Sequence, residues 1–82
     1  LDYINYEEGF YVEKGDERDE IIKIALENGL TLSQTQKILI FSGRGMLYPR
    51  FKRDAVIIYA ISNGKTIAEL NAELAKLGES KL

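Results

Sequence analysis

Two Arg-Asp pairs, Arg18-Asp19 and Arg53-Asp54, are the residues whose type and repetition first suggest chemistry. Two carboxylates in one cleft could divide acid and base work, because neighbouring like charges pull their proton affinities apart. Each aspartate, however, sits at the start of an apolar helical run and directly follows an arginine. That pattern reads as a device for starting a helix, repeated because the architecture repeats. The serines Ser33, Ser42, Ser62 and Ser80 lack an activating base, since the chain has no histidine. It has no cysteine either, which removes thiolate chemistry, disulfides and the usual zinc ligands. Gly43-Arg44-Gly45 could cradle a phosphate with its backbone amides and guanidinium, yet it lacks the spacing of a phosphate-binding motif, and a connecting turn is the plainer reading. No catalytic residue, metal site or cofactor is expected, and the chain reads as a non-enzyme.

The elements that carry these pairs are repeated. Arg53 through Gly64 is an apolar run, Ala55 to Ile61, that begins beside Asp54 and ends at Asn63-Gly64. An all-round apolar helix is buried on several sides, and a glycine after asparagine stops it in the left-handed conformation. Arg18 through Gly29 matches this stretch at an offset of 35 residues, with Thr31 aligning to Thr66, Leu39 to Leu74, Gly43 to Gly78 and Leu47 to Leu82. The period is that of a helical hairpin repeat. Thr31-Leu32-Ser33-Gln34 and Thr66-Ile67-Ala68-Glu69 are both capping boxes, so a second helix follows in each copy.

The spacing predicts helices over about 17–28, 31–42, 54–63 and 66–77. Asp16 or its neighbour should cap the first. Ile21, Ile22, Ala25 and Leu26 form its buried face, with Lys23 and Glu27 paired on the wet side. Leu32, Thr35, Ile38, Leu39 and Phe41 should point inward on the second, leaving Ile40 to a partner. Pro49 suits the first turn of the third helix. Ile67, Leu70, Leu74 and Leu77 form a stripe on the fourth, and the tail after Gly78 should fray.

Residues 1–16 carry Tyr3, Ile4, Tyr6, Phe10, Tyr11 and Val12 around Glu7-Glu8-Gly9, and these aromatics are expected to close one end of the core. The fold class is therefore all-α: a small bundle of two repeated helix–turn–helix hairpins, residues 17–47 and 48–82, with an N-terminal aromatic segment. Eighty-two residues make one domain. No run approaches the roughly 20 apolar residues of a membrane span. The chain begins at Leu1 without a signal-peptide pattern and reads as a piece of a longer or processed protein, with a cytoplasmic location expected.

Charge is uneven. Residues 1–41 hold nine acids against four bases, a balance of −5, and residues 42–82 hold four acids against seven bases, a balance of +3. Arg44, Arg50, Lys52 and Arg53 form a basic cluster, and Glu13, Asp16, Glu17 and Glu20 an acidic one.

The sequence Arg18-Asp19, an apolar helix, Asn28-Gly29-Leu30-Thr31-Leu32-Ser33, Thr35-Gln36 and Leu39, then Leu47-Tyr48-Pro49-Arg50, Arg53-Asp54-Ala55-Val56-Ile57-Ile58-Tyr59-Ala60, and Leu70-Asn71 with Leu74, resembles a domain of small bacterial helix-turn-helix (XRE-like) regulatory proteins. There it follows the DNA-binding unit and is also attached to signalling domains. The resemblance covers Arg18 to Leu39 and Leu47 to Leu74. It implies a regulatory setting, while residues 1–17 are too short and acidic to supply the family's DNA-reading helices. The architecture is also similar to death-fold (CARD-like) interaction domains, a likeness of shape alone.

The function expected is a helical protein-interaction or oligomerisation module of a bacterial regulatory or signalling protein. The basic face (Arg44, Arg50, Lys52, Arg53) would meet the acidic face (Glu13, Asp16, Glu17, Glu20) of a neighbour around an apolar centre of Met46, Leu47 and Tyr48. The partner is protein, self or regulatory, and not a membrane. The alternative is a DNA-binding regulator fragment using the cluster at 44–53, against which the pI near 5.1 counts.

Overall fold

The computed structural model describes residues 18–82 in full and, for residues 3–5 and 11–13, the course of the backbone. Four helices follow the apolar periodicity: α1 (Arg18–Glu27), α2 (Leu32–Ser42), α3 (Lys52–Ser62) and α4 (Ile67–Lys76). Ahead of them, β1 (Tyr3–Asn5) and β2 (Tyr11–Glu13) pair antiparallel with Ile4 opposite Val12. The fold is an all-α bundle with this short hairpin in front. The expected capping by Asp16, and the aromatic side chains expected to close the core, lie outside the described residues.

Both second helices begin as their sequences dictate. Thr31 Oγ1 accepts from the Gln34 amide, and Gln34 Oε1 accepts from the Thr31 amide at 2.8 Å. Thr66 and Glu69 repeat the arrangement at 3.1 and 2.9 Å. Each box satisfies two otherwise orphaned helix-start donors. Gly43 ends α2 at φ +74°, a left-handed angle at which a Cβ would be strained.

The core is built twice. Ile21, Ile22, Ile38 and Leu39 from the first hairpin meet Ile57, Leu70 and Leu74 from the second, all essentially inaccessible. Burying one such side chain contributes about 1.5–3 kcal/mol. The packing of α1 against α4 answers that of α2 against α3, so the hairpins are related by an approximate two-fold.

Several expectations are corrected. The run on α3 is not buried all round: Asp54, Ile57, Ala60 and Ile61 are buried and Val56 and Ile58 pack partly against the core, while Tyr59 lies off that face and is 57% exposed. Phe41 is 68% exposed rather than turned inward, since the inner face of α2 is filled by Thr35, Ile38 and Leu39. Pro49 lies in the turn before α3, which starts at Lys52. Lys23 reaches back to Glu20 at 3.0 Å instead of forward to Glu27. The tail is tied down: Asn71 Oδ1 accepts from the Leu82 amide at 2.8 Å.

Candidate functional site

The Arg-Asp pairs act across the molecule and not within their own turns. Arg18 donates from Nη1 and Nη2 to the two Asp54 carboxylate oxygens at 3.0 and 2.8 Å. Arg53 donates in the same way to Asp19 at 3.1 and 3.0 Å. Each hairpin thus grips the first-turn aspartate of the other through a planar fork, the geometry in which arginine and carboxylate fit best.

The repeat extends to the backbone. Arg18 also donates to the carbonyls of Gly45 and Met46, and Arg53 to those of Ser80 and Lys81, the positions one period later. Gln36 holds the amide and carbonyl of Leu47, as Asn71 holds those of Leu82. Sequence reasoning assigned the Arg-Asp pairs to local helix starts. The signal that could have corrected this was already present, because the spacing that aligns the two pairs also lets each serve the other.

Asp54 is the more deeply placed carboxylate, 6% exposed. Burial pushes its pKa up. The Arg18 hydrogen bond, the Tyr48 amide and the charges of Arg18 and Arg53 outweigh this and hold it below the ordinary 3.8. An aspartate kept ionised by two guanidinium groups is a brace, not a general acid. Glu69 is also lowered, chiefly by the Thr66 amide in its capping box. Among the described residues no three His, Cys, Asp or Glu side chains converge on a metal position.

The bracing disposes of part of the expected interaction face. Arg53 has its guanidinium committed to Asp19 and is only 19% exposed, so it does not project as surface charge. Lys52 stays outward and lies 3.9 Å from Glu79. Arg50 sits 5.3 Å over the Phe51 ring, and Arg44 is exposed in the turn after α2. Leu47 is core, 1% exposed, because Gln36 pulls its backbone against α2. Met46 is half-buried with its carbonyl facing Arg18, and Tyr48 is 45% exposed. On the acidic side, Glu20 pairs with Lys23. Asp16, Glu17 and the side chain of Glu13 lie outside the described residues.

What the bundle does present is an aromatic ridge. Tyr48 and Phe51 meet edge to face with ring centres 6.2 Å apart. Phe51, Ala55 and Tyr59 follow at four-residue steps along α3, which places them on one ridge. Phe51 is 52% exposed. Beside the ridge, a groove of about 550 Å³ runs between α3 and α4. Ala60 and Leu70 are its buried floor, and Val56, Tyr59, Lys65 and Glu73 are among its walls. The sequence hid this face because the α3 run is apolar on every side. Apolar character alone does not tell an inward residue from an outward one.

Comparison with protein-family models, with curated proteins and with solved structures finds no match for this chain.

Proposed function

We propose that the protein is a non-enzymatic helical interaction module of a bacterial regulatory or signalling protein. The observation that carries this reading is the ridge of Tyr48, Phe51 and Tyr59, large rings left half-exposed on a bundle that Arg18, Asp54, Arg53 and Asp19 brace from within. Aromatic side chains with an adjacent arginine are what the centres of protein interfaces are made of. The setting in a bacterial regulator rests on the resemblance of Arg18–Leu39 and Leu47–Leu74 described above.

Nucleic-acid binding is less well supported. Of the basic cluster, Arg53 is committed to Asp19, and too few cations remain to give the charge-dependent affinity a phosphate backbone demands. Tyr48→Glu, Phe51→Glu and Tyr59→Glu together test the reading, with the wild-type and triple-variant chains each immobilised and exposed to bacterial lysate and to soluble wild-type chain. A protein identified by mass spectrometry, or the chain itself, should be retained by wild type and lost with the triple variant. Retention equal on both chains, or none on either, would sink the proposal.

A further inference from the structure

The two hairpins share a scaffold but differ at one place. The α3–α4 groove of the second has its counterpart in the first at Ile21, Ala25, Leu30, Thr35 and Ile38. There these five positions are buried, from 0% to 7% exposed, while Glu20, Ile24 and Gln34, the counterparts of Ala55, Tyr59 and Glu69, are exposed or half-buried, and β1 runs beside α2. In the second hairpin the matching positions are Val56, Ala60, Lys65, Leu70 and Glu73. Val56 and Lys65 are only partly covered, and Glu73 is exposed. The floor of the groove is thus more fully covered in the first half of the molecule than in the second. Glu73 in place of Ile38 and Lys65 in place of Leu30 make the open groove tolerant of water, which suits a reversible occupant.

We infer that the occupant is a second copy of this chain, docked so that the Tyr48–Arg50–Phe51 knob of each copy enters the α3–α4 groove of the other. This deepens the proposed function and rests on it. Complementarity of charge and of spacing selects this occupant. The knob carries Arg50, and the groove carries Lys65 and two carboxylates, Glu69, which accepts from the Thr66 amide, and Glu73, 3.5 Å from Lys76 on its solvent side. Phe51 and Tyr59 are eight residues apart, about 12 Å along α3. The groove runs beside the ridge from Ala55 to Ala60, beyond the knob, so two ridges laid antiparallel about Ala55 bring each knob to the Tyr59 end of the other's groove at once. The two-fold axis then passes near Ala55, whose small side chain permits the roughly 8–10 Å approach of packed helices. The contact is closed and pairs two copies only. It differs from the contact between the basic face of one copy and the acidic face of a neighbour expected from the sequence.

The test is molar mass by light scattering on the 82-residue chain, from micromolar to millimolar protein. The mass should climb from 9.3 kDa to twice that value and no further. Tyr59→Glu should weaken association at least about tenfold, a loss of about 1.4 kcal/mol. Arg50→Glu should weaken it too, and adding Glu73→Arg should restore it. Ile40→Glu, on the exposed face of α2, should change nothing. Far-UV circular dichroism establishes that each variant is folded, which these exposed positions favour. A monomer throughout, a mass above the dimer, a dimer indifferent to Tyr59→Glu, or a charge swap that fails to restore would overturn the inference. A monomer that still retains another protein through the ridge would overturn the second copy and leave the interaction module standing. A monomer that retains nothing would remove both.

Discussion

Replacing Asp54 with asparagine should be far more damaging than the same change at its repeat partner Asp19. The two residues make the same bidentate contact to an arginine of the other hairpin. They differ in surroundings: the Asp54 side chain is 9% exposed and that of Asp19 is 40%. Asp54 also accepts the Tyr48 amide at 3.0 Å, which fixes the turn leading into α3. Asparagine there would carry no charge and would point its N–H₂ at another donor, leaving Arg18 partly buried without its counter-ion.

Breaking a buried pair from one side costs about 3–5 kcal/mol, while an exposed pair contributes about 0–1 kcal/mol. At roughly 4–8 °C per kcal/mol for a domain of this size, Asp54→Asn should lower Tm by at least about 12 °C and Asp19→Asn by no more than about 8 °C. Thermal melts followed by circular dichroism measure both. The pH dependence adds a second reading. Asp54 is depressed in the folded state, so between its folded value and 3.8 the unfolded chain binds the proton first. The stability it contributes is complete above 3.8 and is lost as pH falls through the folded value. The gap between wild type and Asp54→Asn should therefore narrow in acid below 3.8. Equal costs at the two aspartates, or a gap that widens in acid, would refute the reasoning that burial decides which bridge matters.

Other substitutions separate local from tertiary contributions. Thr31→Ala removes one half of the first capping box and should cost about 1 kcal/mol in the same melts. Gly43→Ala places a side chain at φ +74° and should cost about 1–2 kcal/mol although nothing lies within 4 Å of the added carbon. Leu74→Ala should cost about 2–5 kcal/mol, being inaccessible in the core, whereas Ile40→Ser, 57% exposed, should stay within about 0.5 kcal/mol of wild type. Asn71→Ala cuts the tie at 2.8 Å to the Leu82 amide, and that amide should then exchange with solvent faster while the α1 amides keep their protection.

Much of the architecture was legible locally. Thr31 and Thr66 marked helix starts because a threonine with Gln or Glu three residues later satisfies backbone donors in any context. Gly29, Gly43, Gly64 and Gly78 marked helix ends because the left-handed angles they adopt exclude most side chains. The period linking Arg18 to Arg53 gave two hairpins without any knowledge of their packing. What the period did not reveal was which of two equivalent residues is covered. Ile38 and Glu73 occupy one repeat position, but only the first is buried, because exposure depends on what lies across the groove. Arg53 looked like surface charge for the same reason, since its partner Asp19 lies 34 residues away and the two meet only once the hairpins dock. Helix starts, stops and period are fixed by short-range sterics and hydrogen bonds, and so the sequence alone determined them. The crossed Arg-Asp bridges, the burial of Leu47 and the exposed ridge from Tyr48 to Tyr59 depend on long-range packing, and only the tertiary structure decided them.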